Sequence, residues 1–68
     1  MDKNIYVRIE FNSDILGSGV FWDDHSDYLP ECSNLAAKLT AQRALEENTA
    51  FTFGMWTATP YQKRSDKD

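Results

Sequence analysis

The stretch "NIYVRIEFN", residues 4–12, carries the strongest structural signal in this 68-residue chain. Apolar and polar side chains alternate along it with a period of two, and β-branched residues are frequent. A period of two is the signature of a strand with one buried and one solvated face. The pattern predicts that one face carries Ile5, Val7, Ile9 and Phe11 and that the other carries Tyr6, Arg8 and Glu10.

A turn and a second strand follow this first strand. The segment "SDILGSG", residues 13–19, combines Ser, Asp and two Gly, which are turn-forming residues. The segment "VFWD", residues 20–23, then predicts a strand that completes a β-hairpin. The register of the hairpin stays open. Either Phe21, or Val20 together with Trp22, joins Tyr6 and Arg8 on the solvated face, and the other set belongs to the core.

A helix is predicted over "LAAKLTAQRALEE", residues 35–47, because these residues are mostly strong helix formers. Pro30 is placed just ahead of it, Ser33 or Asn34 is a suitable N-cap, and Asn48 is a suitable terminator. One side of the helix carries only small apolar residues, which allow a helix to lie close to a sheet: Ala37, Ala41 and Ala44.

A third strand is predicted over "TAFTFGMWTAT", residues 49–59, ending at Pro60. Its alternation places Phe51, Phe53 and Met55 towards the helix and Trp56 on the opposite face. The predicted fold is a small two-layer α+β domain with the order β-β-α-β, a three-stranded antiparallel-type sheet and one helix packed on one face. Residues 1–61 form the domain, and residues 62–68 form a flexible charged tail.

Composition limits the classes of protein to which the chain can belong. Hydrophobic residues are 41% of the chain and aromatic residues 13%, which is enough for a folded domain but only for a small core. The single Cys32 cannot form an internal disulfide, and no long apolar run predicts a signal peptide or a transmembrane helix. We therefore expect a cytoplasmic protein, located in the host cytoplasm if the source is a virus.

The negative charge is concentrated in one part of the chain. The net charge is −4, and no Lys or Arg occurs from Ile9 to Ala37. The acidic residues of that window are Glu10, Asp14, Asp23, Asp24, Asp27 and Glu31. Such a field repels nucleic-acid phosphates and anionic membranes and attracts a basic protein surface. The simpler interpretation is that the charge only keeps the protein soluble.

The residues of segment 19–31 do not match a known catalytic or metal-binding spacing. A calcium loop that begins at Asp23 would need Gly at its sixth position and Glu at its twelfth, where Tyr28 and Asn34 occur. His25 and Cys32 supply two zinc ligands of the four required, and as a nucleophile–base pair they lack a third group to orient them. We predict no cofactor, no metal and no enzymatic activity.

The function predicted from the sequence is that of a small acidic protein-binding module. Affinity would come from aromatic and Arg side chains on the sheet face without the helix, and carboxylates would steer a partner with a basic surface, for example a nucleic-acid-binding complex. The predicted partner-binding residues are Tyr6, Arg8, Trp22, Asp23, Asp24, Asp27, Tyr28, Glu31 and Trp56. No direct contact with nucleic acid or membrane is expected.

In size, charge and architecture the chain resembles small phage or mobile-element proteins that inhibit a host nucleic-acid enzyme or a defence complex, although no motif or specific residue carries the analogy. Two alternatives remain open. The carboxylates would imitate DNA phosphates and occupy a basic groove, or the chain would be an assembly subunit that associates with itself through the edge of the third strand.

Overall fold

A computed structural model describes residues 5–62 of the chain. Its elements are β1 (Ile5–Ser13), β2 (Gly17–His25), a 3-10 helix (Ser26–Glu31), α1 (Leu35–Glu47), β3 (Phe51–Phe53) and β4 (Trp56–Gln62). The four strands form one antiparallel sheet in the order β2-β1-β4-β3, with α1 packed mainly over β4. The predicted α+β class is confirmed, and the sheet has four strands where the sequence predicted three.

β1 lies inside the sheet because its alternating apolar side chains can be covered on one face. Val7 and Ile9 are fully buried, and Ile9 lies opposite Ala58 of β4 and Trp22 of β2. The core beneath the helix joins these side chains to Leu29 of the 3-10 helix and to the small residues of α1. The alternation predicted for residues 4–12 is confirmed for residues 5–12.

The single strand predicted over residues 49–59 was wrong, because the chain reverses at Gly54. Gly54 has φ = 63°, a conformation that L side chains rarely adopt. Gly54 and Met55 form a two-residue turn, and β3 and β4 pair on either side of it. With Gly as the first central residue, the turn is of the kind that suits hairpins. The reversal moves Trp56 to the face that α1 covers, where it lies opposite Phe11.

The strand also continues past Pro60, where the sequence predicted its end. β3 pairs with β4 only as far as Phe51 and Ala58, so the far side of β4 has no strand neighbour at Pro60. A proline is tolerated there because a ladder hydrogen bond on that side is not needed. Gln62, assigned to the flexible tail, is therefore the last residue of β4. The rest of that predicted tail, residues 63–68, lies outside the described residues.

The register of the first hairpin is decided by a β-bulge. Trp22 lies opposite Ile9 and Val20 lies opposite Glu10, so that Phe21 is the additional residue on β2. The ring of Phe21 packs edge-on against Trp56, with 5.0 Å between the ring centroids. Both aromatic residues of β2 therefore lie on the helix side, and Val20 is left on the other face.

The turn between β1 and β2 is stabilised locally. Ser13 accepts hydrogen bonds through Oγ from the backbone N–H of Ile15 at 3.2 Å and of Leu16 at 3.1 Å. Gly17 follows with φ = 88° and closes the three-residue loop. Ile15 and Leu16, the apolar residues of this loop, are 91% and 78% exposed.

α1 begins and ends at the predicted residues. The side chain of Asn34 accepts a hydrogen bond from the Ala37 N–H at 3.0 Å, and Asn48 ends the helix in the left-handed conformation with φ = 53°. The side that contacts the sheet consists of Ala37, Thr40, Ala41 and Ala44, all buried. None of the helices in the described part of the chain is long and apolar enough to span a membrane.

Candidate functional site

The sheet face opposite α1, which we call the open face, carries the polar half of the β1 alternation. β1 contributes Tyr6, Arg8 and Glu10 to it. Cross-strand partners share a face, so the residues opposite these positions lie there too. They are His25, Asp23 and Val20 on β2, and Tyr61, Thr59 and Thr57 on β4.

Asp23 is the polar centre of the open face and links three strands. Its Oδ2 lies 3.4 Å from Arg8 Nε on β1, and its Oδ1 accepts a hydrogen bond from the Tyr61 hydroxyl of β4 at 2.5 Å. Arg8 Nη1 also lies 3.8 Å from Glu10 Oε2. One guanidinium therefore serves two carboxylates, and this part of the face keeps a net negative charge of one.

The Tyr61 hydroxyl is held in its protonated form. Its hydrogen bond to the Asp23 carboxylate raises the pKa of Tyr61 above the ordinary value, and burial and the negative charge of Asp23 act in the same direction. At neutral pH this phenol is a hydrogen-bond donor with no nucleophilic character. Tyr61 thus positions Asp23.

A row of aromatic rings runs beside this polar centre. Tyr61 stacks on Tyr6 with ring centroids 5.7 Å apart, and Tyr6 meets His25 edge-on at 5.2 Å. His25 in turn meets Tyr28 of the 3-10 helix edge-on at 6.2 Å. The row crosses the sheet from β4 to the 3-10 helix, and Tyr28 at its end is 52% exposed.

His25 orients the 3-10 helix through its imidazole. Nδ1 accepts a hydrogen bond from the backbone N–H of Asp27 at 3.0 Å, and Asp27 Oδ2 lies 3.5 Å from the same nitrogen. The two contacts exclude each other, because Nδ1 carries either a lone pair or a proton. Through the shorter contact, to the N–H, the imidazole caps the first turn of the 3-10 helix.

The segment 24–31, which carries the last two rings of the row, also carries carboxylates without a basic partner, and we call these carboxylates the acidic border. Asp24, Asp27 and Glu31 are exposed, and within residues 5–62 none of them forms an ion pair with Lys or Arg. The nearby Lys38 donates through Nζ to the Pro30 carbonyl at 3.3 Å. Among the described residues, no three His, Cys, Asp or Glu side chains converge as metal ligands.

The predicted partner-binding residues fall into three groups in the structure. Tyr6, Arg8 and Asp23 meet on the open face. Tyr28, Asp24, Asp27 and Glu31 lie in the segment that continues from β2 into the 3-10 helix, and of these Asp24 lies opposite Val7, on the helix side of the sheet. Trp22 and Trp56 were assigned to this surface wrongly, because both pack partly buried against the core on the helix side. The bulge at Phe21 and the turn at Gly54 cause the two changes of side.

Two residues of the open face were missed by the sequence argument, His25 and Tyr61. Tyr61 was lost because Pro60 was taken as the end of the strand. The signal that identifies it is the continued alternation of Thr57, Thr59 and Tyr61 through the proline. For His25, no local pattern shows that its ring meets Tyr6 of another strand.

The described residues contain no assembled nucleophile–base pair of the Cys–His type. Cys32 is buried, its Sγ lies 3.8 Å from the Asn34 carbonyl oxygen, and no hydrogen bond joins it to His25 among residues 5–62. The depression on the open face, about 350 Å³, is lined by Arg8, Glu10, Thr59 and Tyr61 and is open to solvent.

Comparisons with protein-family models, with curated proteins and with solved structures found no match.

Proposed function

We propose that this chain is a small, non-enzymatic module that binds a protein partner through the open face, next to an acidic border. The observation that carries the proposal is the aromatic row from Tyr61 to Tyr28. The segment at its end carries carboxylates that form no ion pair with Lys or Arg within residues 5–62. Rings supply contact area with little loss of side-chain entropy, and tyrosine is enriched at positions that dominate binding energy.

The charge of the border defines the class of partner. Asp24, Asp27 and Glu31 are exposed and add a negative field along the segment that carries the exposed Tyr28. A field of this sign accelerates encounter with a basic surface and disfavours acidic ones, and its effect decreases as salt increases. We propose a partner with a basic surface, of the kind that nucleic-acid-binding enzymes and complexes carry, and an inhibitory or modulatory effect on that partner in the cytoplasm.

Arg8 gives the open face a second, more specific function. Its guanidinium is held between Asp23 and Glu10, and about half of its side chain stays exposed. A partner carboxylate or carbonyl can accept from the outer N–H groups without breaking either contact. Arg8 therefore fixes the orientation of a partner, and the carboxylates of the border act mainly on the rate of association.

The alternative proposal is DNA mimicry, in which the carboxylates imitate phosphates, and the position of Arg8 argues against it. The predicted array of phosphate-like carboxylates has a cation at its centre, since Arg8 lies 3.4 Å from Asp23. Asp14 lies in the β1–β2 turn, at the end of β2 away from the border. Competition with DNA for an identified partner distinguishes the two forms: a mimic excludes DNA, and a module that binds elsewhere forms a ternary complex.

The experiment is quantitative affinity capture from lysate of the native host with matched variants. Tyr28→Ala tests the aromatic row, and Asp27→Asn combined with Glu31→Gln tests the border. Asp14→Asn is the control for charge, because it removes a carboxylate at the other end of the hairpin. We expect Tyr28→Ala to weaken capture about tenfold, as at a typical binding hot spot.

The border variant should reduce the association rate and its dependence on salt, with a smaller change in dissociation. The control should behave like the unmodified chain. Capture of the same partner at the same level by all variants would refute binding at this face.

A further inference from the structure

The sheet has two outer strands, β2 and β3, and only β3 carries no charged residue. The segment 48–62, which contains both β3 and β4, has no Asp, Glu, Lys or Arg. β3 itself reads Phe51-Thr52-Phe53, the same sequence in both directions. An uncharged strand with a palindromic sequence can pair with a copy of itself with no like-charge contact between the two.

The hairpin geometry shows which backbone groups face the free edge. Phe53 and Trp56 flank the two-residue turn, so they form the hydrogen-bonded pair that closes the hairpin. Hydrogen-bonded and non-hydrogen-bonded pairs alternate, which makes Thr52 and Thr57 a non-hydrogen-bonded pair. Their close side chains agree with this, with 3.2 Å between the two Oγ1 atoms. The N–H and C=O of Thr52 therefore point away from β4.

We propose that a second copy of this chain pairs antiparallel with β3 about a two-fold axis at Thr52. The Thr52 N–H of each copy donates to the Thr52 carbonyl of the other, which is the hydrogen-bonded pair of an antiparallel ladder. The interface is isologous and closes on itself, so it yields a dimer with one continuous eight-stranded sheet and no filament. It lies at the edge away from β2, and it is independent of the binding function proposed above.

The side chains on the helix side fit this register. Phe51 of each copy lies opposite Phe53 of the other, which creates two aromatic cross-strand pairs. Phe53 is 60% exposed in the single chain, so it gains most from such cover. Beside it runs a groove of about 270 Å³ between β3 and α1, lined by Leu39, Thr40, Arg43, Phe51 and Phe53.

In the proposed dimer, the two α1 helices are far enough apart for the side chains of Phe53 and Leu39 to lie between them. α1 lies mainly over β4, and the two β4 strands of the dimer would be three strand spacings apart, about 14 Å. Helices in direct contact are separated by about 8–10 Å, so the two α1 helices do not collide. Leu39, which is 53% exposed although it belongs to a helix packed on the sheet, points towards this space together with Phe53.

The other edge is less suited to the equivalent pairing. β2 carries the charged residues Asp23 and Asp24 and a bulge at Phe21, and both features disfavour pairing of an edge strand with a copy of itself. A basic partner strand gains no electrostatic attraction from the uncharged segment 48–62. A second copy of the chain matches both the neutral edge and its palindromic sequence.

The test is sedimentation equilibrium of the full chain from about 1 μM to 1 mM, a range that covers dissociation constants of weak and moderate dimers. We expect the mass to rise from monomer to dimer. Thr52→Pro removes the N–H that faces the free edge and leaves the bonds to β4 intact, so it should weaken the dimer at least tenfold. Thr52→Val is the matched control, because it removes the same hydroxyl and keeps the N–H.

Two further variants make every outcome informative. Phe53→Lys removes the cross-strand pair and should weaken the dimer as Thr52→Pro does, which decides the question if the proline variant does not fold by circular dichroism. Asp24→Asn, on the other edge, should leave the dimer unchanged. A monomer at every concentration overturns the proposal, and so does a dimer that both Thr52→Pro and Phe53→Lys leave intact.

Discussion

The two outer strands of the sheet differ in the way they are held and in what they present to a partner. β2 has nine residues, eight of which pair with β1, and most of its side chains are exposed, including Asp23 and Asp24. β3 has three residues, no charge, and a helix beside it. The open sheet thus ends in an acidic edge on one side and a neutral, apolar edge on the other.

The two edges also differ in the features that keep a strand from pairing with another chain. Carboxylates and a bulge on β2 are the features that prevent a long edge from pairing with copies of itself. On β3, shortness is the only such feature. Asp23 is also tied across β1 to Tyr61 of β4, whereas β3 is held by its turn and by contacts with α1 such as Arg43 over the Phe51 ring at 5.4 Å.

The largest loss of stability is expected from a change in the buried core of β1, on which both halves of the sheet pack. Ile9 is fully buried on the central strand, between Trp22 and Ala58. Ile9→Ala should lower the free energy of unfolding by about 2–5 kcal/mol, through lost burial and the cavity left behind. In a domain of this size that is a large share of the total stability. Urea denaturation followed by tryptophan fluorescence measures it.

Ile15→Ala is the control for this prediction, since Ile15 is 91% exposed in the β1–β2 turn. It should change the free energy of unfolding by less than about 0.5 kcal/mol. Equal losses for the two variants would show that the core is not centred on β1.

A change at Gly54 should weaken the β3 side alone. Gly54→Ala forces an L residue to φ = 63°, although a Cβ there would meet no atom within 4 Å. The penalty is therefore conformational, about 1–2 kcal/mol. We expect amide protons of β3 to exchange faster by hydrogen exchange, with those of the β1–β2 pairing changed less. Met55→Ala, at the next position of the turn, is the control and should have little effect.

The β2 side is tested by Asp23→Asn. Removing the carboxylate removes the main cause of the raised Tyr61 pKa, so the titration of Tyr61 should move down towards that of an ordinary tyrosine. Carbon-13 NMR of the tyrosine Cζ atoms resolves the three phenols individually. An identical Tyr61 titration in the two proteins would mean that the hydrogen bond to Asp23 is not formed in solution.

The same bond has a consequence for stability at alkaline pH. A raised folded-state pKa means that the folded chain holds the Tyr61 proton more tightly than the unfolded chain does. The stabilisation is complete below the ordinary tyrosine pKa of about 10 and is lost as the pH rises through the folded value. Unfolding of the unmodified chain should thus become easier above about pH 10 relative to Tyr61→Phe, which has no phenol to ionise at this position.

The smallest effect is expected at Asp24. Asp24 Oδ1 accepts a hydrogen bond from the backbone N–H of His25 at 2.7 Å. Asp24→Asn keeps a side-chain oxygen that can accept this bond, and it removes one exposed charge. The free energy of unfolding should change by less than about 0.5 kcal/mol. The variant then separates the electrostatic contribution of the β2 edge from its contribution to the fold. A loss of stability comparable to that of Gly54→Ala would contradict that separation.

Part of the candidate site followed from the sequence because it depends on one strand. Tyr6 and Arg8 share a face through alternation alone. The face of Asp23 depends on the register of the hairpin, which stayed open in the sequence and which the pairing of Arg8 with Asp23 decides. The positions of Trp22 and Trp56 could not be predicted in this way. Each lies beyond a local irregularity, the bulge at Phe21 and the turn at Gly54, and a shift of one residue transfers a side chain to the opposite face.

Local rules determined the elements of this protein. The alternation in β1, the Asn34 and Asn48 caps and the small-residue side of α1 all depend on neighbours within a few residues, and the structure retains them. Tertiary structure decided the strand order, the strand count and the composition of both faces. The physical reason is that Gly54 is compatible with either a strand or a turn, and only packing of the Phe51 and Trp56 side against α1 selects the turn.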